Sequence, residues 1–185
     1  MDKKEKTIRS REIYRGKVVN LYQDEVLCPN GQISLREIVS HRGGVAILLE
    51  INNRFVIEKQ YRYAFDEEVY EIPAGKLEEG EEPLESAKRE LLEETGYRPL
   101  EMIHLGNIYP TCGYSTEIIY IYYCPLAKKE ERQLDSDEVI DLCLLSLEEI
   151  EKMIEENLIK DSKTIAAISL YKLRFLKNEQ SFSFL

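Results

Sequence analysis

The spacing of apolar residues divides the chain into short extended segments and a few helices. Two pairs of segments with the residue pattern of strands are separated by turn sequences, Pro29-Asn30-Gly31 in the first pair and Asn52-Asn53 in the second. Short strands with similar spacing follow along the chain. The predicted strands cover residues 12–27, 32–40, 44–50, 54–60, 68–72, 100–108, 116–124 and 138–145.

A helix is predicted in the middle of the chain, between Pro83 and Gly96. Proline suits the first helical turn, where its missing N–H costs nothing, and glycine commonly ends a helix. One stripe of residues at helical spacing is expected to pack on a core. That stripe comprises Leu84, Ala87, Leu91 and Thr95.

Two more helices are predicted towards the C-terminus. Ser146 and Glu149 form a capping box that begins a helix running to about Asn157. Residues 162–177 have the apolar spacing of a last amphipathic helix. Strands interleaved with a few helices, without an internal repeat or a low-complexity linker, predict an α+β or sandwich fold.

Composition indicates one soluble globular unit, because 43% of the 185 residues are hydrophobic. The net charge of −10 argues against a broad surface for nucleic acid. No apolar run reaches transmembrane length and the first residues lack a signal-peptide core, so we expect no membrane partner and a cytoplasmic location. The four cysteines lack C-x-x-C spacing and are expected to be reduced.

The predicted middle helix has a cluster of carboxylates near its C-terminal end. Glu90 and Glu94 lie side by side one turn apart, Glu93 is one step further round, and Arg89 precedes Glu93 by four residues. Carboxylates this close repel one another unless a cation neutralises them, and oxygen ligands favour Mg²⁺, with Mn²⁺ as a substitute. A solvated acidic helix face would account for the charge but not for the flanking glycines, the single arginine or the spacing.

The stretch GKLEEGEEPLESAKRELLEETGY resembles the Nudix box, G-x(5)-E-x(7)-R-E-U-x-E-E-x-G-U, where U is a bulky aliphatic residue. Tyr97 is a mild departure at the last position of this pattern. The resemblance implies a Nudix-type α/β/α sandwich with an N-terminal antiparallel strand extension. The fixed positions of the box are Gly75, Glu81, Arg89, Glu90, Glu93, Glu94 and Gly96.

The resemblance also implies roles for the helix residues. Glu90 and Glu94 would be the leading metal ligands, with Glu93 as a third ligand or a partner. The backbone carbonyl of Ala74 would complete the metal site. Glu93, Glu94 and Arg89 would form the catalytic set, with Arg89 acting by orienting a glutamate.

Positions around the helix have further expected roles. Glu81 is either a water-mediated metal contact or a carboxylate on the loop surface. Gly75 and Gly96 are expected to be structural, Gly75 in a backbone conformation that a side chain disfavours and Gly96 as the residue that ends the helix. The general base is expected in the acidic loop before the last strand, as Asp137 or Glu138, and a solvated acidic turn is an equal alternative for that loop.

The flanks resemble the ADP-ribose pyrophosphatase branch of the family through three runs: VSHRGGVAILL, EKQYRYAFDEEVYEIPAGKLEEGE and IKDSKTIAAI. Enzymes of that branch hydrolyse ADP-ribose to AMP and ribose 5-phosphate. Because a guanidinium matches phosphate oxygens and its run matches the branch, Arg62 is expected to bind the diphosphate. Tyr22, with Tyr61 or Tyr114 as alternatives, is expected to stack on adenine, and Glu117 to contact the substrate.

The same branch predicts the assembly and the domain division. Its members are commonly homodimers in which the N-terminal strands exchange or pack across the interface. We therefore expect residues 1–41 to form an N-terminal strand extension that mediates dimerisation. Residues 42–185 would then form the Nudix hydrolase domain.

One turn departs from the branch and keeps other functions open. The branch usually has a proline within a Ser-Pro-Gly-like turn where this chain has Cys112, and Pro110 is two positions early, although Gly113 and Glu117 fit. A Nudix hydrolase for another nucleoside diphosphate sugar or nucleotide is therefore one alternative. A non-catalytic ligand-sensing module is another, against which the intact box glutamates argue.

Overall fold

The computed structural model describes residues 2–134 and 139–176, which form two compact units. The first unit runs to Gly43 and includes Tyr109–Ile118. The second comprises Gly44–Ile108 and the described residues from Ile119 onwards. The domain division after residue 41 stays a prediction, and each unit is described below by itself.

The first unit is built on an antiparallel sheet in which β1 pairs with β2 and β2 with β3. The single strand predicted over residues 12–27 is wrong, because the chain turns at Gly16, whose N–H donates to the Val19 carbonyl at 2.9 Å. The predicted turn at Pro29-Asn30-Gly31 is confirmed. The strands are β1 (Lys6–Arg15), β2 (Asn20–Leu27) and β3 (Ile33–Ser40).

The second segment of the first unit, Tyr109–Ile118, forms backbone hydrogen bonds with the end of β3. The Val39 N–H donates to the Tyr114 carbonyl at 2.8 Å, and the Thr116 N–H donates to the Val39 carbonyl at 3.0 Å. Because Thr116 forms a hydrogen bond with Val39 of β3, the strand predicted from residue 116 begins only at Ile119.

The second unit contains a mixed sheet with the order β10-β5-β4-β9-β8, in which β6 pairs with β5 and β7 with β4. The pair β4 and β9 is parallel, whereas the other pairs are antiparallel. The hairpin at Asn52-Asn53 is confirmed, with both residues at positive φ. The strands are β4 (Gly44–Ile51), β5 (Arg54–Arg62), β6 (Glu67–Glu71), β7 (Ala74–Lys76), β8 (Tyr97–Ile108), β9 (Ile119–Lys129) and β10 (Ile140–Leu145).

Helices cover both faces of this sheet, as β4 shows. Alternate side chains of β4 belong to two different apolar clusters, because successive residues of a strand point to opposite faces. The cluster with Val45 and Ile47 includes Leu91 of the helix α1 (Pro83–Thr95). The cluster with Ala46 and Leu48 includes residues of α2 (Leu147–Glu155) and α3 (Ser162–Tyr171). The α+β class and the layered arrangement of this unit are confirmed.

The helix ends agree closely with the sequence. Gly96 ends α1 in the left-handed conformation, at φ 69°, and the Ser146 capping box of α2 is formed. The expected burial of Leu84 is wrong: its side chain is 38% exposed, and Ser86 is the buried residue in the first turn. The last helix ends at Tyr171 and continues as a π-helical turn, Lys172–Leu176. None of the helices in the described residues has the length and apolar character needed to cross a bilayer.

Candidate active site

The segment between β6 and β7 is fixed by backbone hydrogen bonds from three directions. The Ile72 N–H donates to Thr164 Oγ1 of α3 at 2.9 Å, and the Pro73 carbonyl accepts from the Ile47 N–H of β4 at 2.8 Å. The Ala74 N–H donates to the Glu94 carboxylate of α1 at 2.9 Å. This segment therefore connects both helical layers to the sheet.

Gly75 lies directly under the carboxylate of Glu90. A Cβ added to Gly75 would lie 1.8 Å from Glu90 Cδ, so a side chain there would displace the Glu90 carboxylate. Glycine at this position allows α1 to place a carboxylate against the start of β7. The backbone conformation expected for Gly75 is wrong, because its φ is not positive, and the requirement at this position is for space.

Arg89 contacts three carboxylates of the box. Its Nε and Nη2 donate to the two oxygens of Glu81, each at 2.9 Å, and its Nη1 lies 3.0 Å from both Glu93 Oε2 and Glu90 Oε1. The Arg89 hydrogen bonds lower the pKa of Glu81 to about 2, and the same bonds raise the pKa of Arg89. One guanidinium therefore orients these carboxylates and keeps Glu81 ionised.

Glu94 is the most buried of the helix glutamates, at 4% exposure. Its backbone carbonyl accepts from Arg132 Nε, and Arg132 Nη1 donates to the Ile140 carbonyl at 3.0 Å. The Gln133 N–H donates to the Glu93 carbonyl at 3.2 Å. Because donors satisfy the carbonyls at its C-terminal end, the last turn of α1 is held in place.

The oxygen donors around Ala74 and Gly75 fit a hard divalent cation in chemical type. Two carboxylates, those of Glu90 and Glu94, are held against the backbone at this point, and Glu93 directly precedes Glu94 on the helix. Within residues 2–134 and 139–176, no three acidic, histidine or cysteine side chains form a metal cluster by themselves. A metal site here would therefore include the backbone carbonyl as well as the carboxylates.

A second charged cluster lies beside the first, on β5, β6 and α3. Arg62 Nε donates to Glu71 Oε1 at 2.6 Å, and Lys163 Nζ donates to the other oxygen of Glu71. Lys163 Nζ also donates to Asp161 Oδ1 at 3.0 Å. These side chains line a cavity of about 380 Å³, which Lys160 also borders.

Sequence reasoning missed a buried carboxyl group, that of Glu58 on β5. Glu58 lies opposite Glu71 in the pairing of β5 with β6, and its side chain is 1% exposed. Its Oε1 has no hydrogen-bond partner among the described residues. Burial, and then the charge of Glu71, raise the pKa of Glu58 to about 8. The signal in the sequence was a glutamate directly after the apolar run of β5.

The other predicted site residues are distributed over the two units. Tyr22 and Glu117 lie in the first unit: the Tyr22 hydroxyl donates to Glu12 at 3.3 Å, and Glu117 Oε1 lies 3.5 Å from His41 Nδ1. Arg62 lies in the second unit. Asp137 and Glu138, the predicted general bases, lie outside the described residues.

Known protein families match both parts of the chain. Residues 40–167 match the NUDIX domain, and residues 5–39 match the nucleoside diphosphate sugar hydrolase N-terminal domain. A crystal structure of an ADP compounds hydrolase aligns with a TM-score of 0.85 over 96% of both chains, at 18% sequence identity. At this identity the structural match shows a shared fold.

Two curated relatives cover nearly the whole chain, and a third covers three quarters of it. A methanol dehydrogenase activator of Bacillus methanolicus is 46% identical over 173 residues, which are 92% of this chain and 94% of that protein. An ADP-ribose pyrophosphatase of Bacillus subtilis (strain 168) is 39% identical over 173 residues, with the same 92% and 94% coverage. A GDP-mannose pyrophosphatase of Cronobacter sakazakii is 27% identical over 150 residues, covering 75% of this chain and 78% of that protein.

Proposed function

The chain belongs to the Nudix family of pyrophosphohydrolases, and on that premise we propose that it hydrolyses ADP-ribose to AMP and ribose 5-phosphate with Mg²⁺. The proposal depends on one observation above all. Glu90 and Glu94 are held against the backbone of Ala74 and Gly75, where oxygen donors of the type that Mg²⁺ prefers come together. The similarity to the ADP-ribose pyrophosphatase of Bacillus subtilis supports the choice of substrate.

The proposed metal ligands are Glu90, Glu94 and the Ala74 carbonyl, with Glu93 as a third carboxylate ligand or a partner. Nudix hydrolases generally use divalent metal ions. The chemistry that such an ion supplies when bound is screening of the phosphate charge and activation of water. We propose Mg²⁺ as the natural ion and Mn²⁺ as a substitute.

The chain's own residues would orient the substrate and the carboxylates. Arg89 holds Glu93 and Glu81 at fixed positions, so that the helix glutamates do not have to reorganise during the reaction. Arg62, on the wall of the cavity, is proposed to bind the diphosphate because its guanidinium matches phosphate oxygens.

The remaining sequence-based roles stay part of the proposal. Tyr22 is proposed to stack on adenine and Glu117 to contact the substrate, and both lie in the first unit. The proposed general base is Asp137 or Glu138. Gly75 and Gly96 are proposed to be structural, in agreement with the space at Gly75 and the positive φ at Gly96.

We propose a homodimer formed through residues 1–41, with residues 42–185 as the hydrolase domain. Large apolar side chains of the N-terminal sheet are exposed, and exposed patches of this kind often form protein interfaces. The match of residues 5–39 to an N-terminal domain of sugar nucleotide hydrolases supports this role. The exposed residues include Ile8, Ile13, Tyr14, Ile33 and Leu35.

A reducing compartment, and hence the cytoplasm, is proposed as the location. All four cysteines, one of them buried and one exposed, are free thiols. Free thiols are typical of proteins that work in a reducing environment. Burial raises the pKa of the Cys124 thiol to about 11, which keeps it protonated and unreactive.

The direct test is AMP formation from ADP-ribose, measured chromatographically with Mg²⁺ and with a chelator. We expect activity only with the metal, and a loss of roughly 100-fold or more in Glu94→Gln. Glu85→Gln is the matched control, because Glu85 is an exposed glutamate of the same helix, 63% exposed and paired with Lys88. Equal rates in the wild type and Glu94→Gln would contradict the metal-ligand assignment.

A second candidate is hydrolysis of another nucleoside diphosphate sugar. The similarity to GDP-mannose pyrophosphatases and the N-terminal domain match favour it. The same assay with GDP-mannose and ADP-sugars separates the two candidates by their kcat/KM values. Tight binding of ADP-ribose without turnover would instead indicate a sensing module.

A further inference from the structure

Glu71 is shared between two cations that lie on different elements. One carboxylate oxygen accepts from Arg62 of β5 at 2.6 Å, and the other accepts from Lys163 of α3. Lys163 is shared in turn, since its Nζ also donates to Asp161 at 3.0 Å. The four groups therefore form a linear chain of alternating charge.

The exposure of these groups differs along the chain. The side chain of Glu71 is 3% exposed and that of Lys163 is 13% exposed, whereas that of Arg62 is 40% exposed. Burial alone would lower the pKa of Lys163, but the carboxylates of Asp161 and Glu71 outweigh it and raise that pKa, so the ammonium group stays charged. Arg62 is the member that solvent and a ligand can reach.

The inner groups determine how strongly Glu71 holds Arg62. With Lys163 present, the charge of Glu71 is divided between two cations, and part of the positive potential of Arg62 is available to a ligand. Without Lys163, Glu71 would be a buried carboxylate with one remaining cationic partner, and Arg62 would be held more tightly to it.

We propose that Lys163 is a positioning residue that, through Glu71, sets the availability of Arg62 for the substrate diphosphate. This inference rests on the proposed function, in which Arg62 binds the diphosphate. It concerns the diphosphate group alone, so it applies to any nucleoside diphosphate compound that the protein hydrolyses. Lys163 has no contact with substrate in this role.

A purely structural role for this end of α3 makes a different prediction. Thr164 already fixes the segment before β7, because its Oγ1 accepts from the Ile72 N–H at 2.9 Å and donates to Asp161. Loss of that hydrogen bond would disturb the proposed metal site and lower kcat. Loss of the charge on Lys163 alone should instead raise KM, since it changes the binding of the diphosphate.

The experiment is steady-state hydrolysis of ADP-ribose by Lys163→Met, or of GDP-mannose if the wild type has the higher kcat/KM for that compound. We expect KM to rise about tenfold, the size of one charge-assisted hydrogen bond, with a much smaller change in kcat. Lys163→Arg, which keeps the charge, should restore most of the wild-type KM. Lys160→Met is the matched control, because Lys160 borders the same cavity but pairs with Glu67.

Asp161→Asn gives a change of opposite sign and does not depend on how well Lys163→Met folds. Asparagine can still cap α3 through Thr164, which in the wild type donates its N–H to the Asp161 carboxylate at 2.9 Å. With the charge of Asp161 gone, Lys163 interacts more strongly with Glu71 and Arg62 is released. We expect KM to fall by up to about threefold, less than the effect of a full charge-assisted bond.

Two results would overturn the inference while the proposed function stands. One is a KM that moves in the same direction in Lys163→Met and Asp161→Asn. The other is an equal effect of Lys163→Met in the wild type and in an Arg62→Ala background, where the inference predicts no effect on KM. Failure of the wild type to hydrolyse any compound tested is a separate outcome, which overturns the proposed function and with it the role of Arg62.

Discussion

Replacing Glu58 with glutamine would remove a carboxyl group that is 1% exposed and lies opposite Glu71 on the neighbouring strand. Burial and the charge of Glu71 raise the pKa of Glu58 to about 8, against the partial compensation of Arg132, Lys163 and Arg62. In the unfolded chain the same carboxyl has its ordinary pKa of 4.5. The folded state therefore binds this proton more tightly than the unfolded state does.

The magnitude follows from proton linkage. A carboxyl whose pKa is raised by folding contributes stability that is present below pH 4.5 and is lost as the pH rises towards about 8. Each pH unit inside this window is worth about 1.4 kcal/mol. Between pH 5 and pH 8, Glu58 should lower the free energy of unfolding by about 3 kcal/mol, whereas a glutamine at this position, which does not titrate, contributes no such dependence.

The assay is urea unfolding of the wild type and Glu58→Gln at several pH values from 5 to 8. The informative quantity is the difference between the two proteins as a function of pH, because any packing effect of the amide is the same at every pH. We expect this difference to change by about 3 kcal/mol in favour of Glu58→Gln. Glu155→Gln, on the exposed side of α2, is the control. A difference that stays constant from pH 5 to pH 8 would refute the reasoning.

Three further predictions concern the site and the assembly. Gly75→Ala would place a Cβ 1.8 Å from Glu90 Cδ, so kcat should fall roughly 100-fold, whereas Gly113→Ala, with no atom within 4 Å, should keep its activity. Arg89→Lys cannot donate to both carboxylate oxygens of Glu81, so kcat, measured by AMP formation, should fall about 10–100-fold. The melting temperature of this variant, measured by calorimetry, should stay within a few degrees of the wild type. Leu35→Asp should convert a dimer into a monomer in size-exclusion chromatography with light scattering, and a monomeric wild type would contradict the proposed interface.

Local chemistry predicted the helix and its ends well. Pro83, Gly96 and the carboxylate spacing act within a few residues of one another, so their effects can be inferred from the sequence alone. The turn at Gly16 was missed because pairs of apolar residues separated by polar residues continue on both sides of it. Periodicity cannot show where one strand ends and the next begins when the pattern is unbroken.

Long-range contacts limited the prediction of the site. The sequence indicated Arg62 as a phosphate-binding residue, but its partner Glu71 is shared with Lys163, 92 residues further along the chain. The raised pKa of Glu58 likewise depends on its burial and on charged groups from other segments, such as Glu71 and Arg132. Such environments are determined by tertiary packing, which a single sequence does not display.

The hydrogen bond from the Ile72 N–H to Thr164 affects the order of events during synthesis. Its two residues are 92 positions apart, so the segment before β7 cannot be fixed until α3 has left the ribosome. The parallel pairing of β4 with β9 imposes a similar delay, because contacts between distant segments form late in folding. The residues of α1 are therefore synthesised long before the site can be assembled, and we expect hydrolytic activity only after α3 has been synthesised.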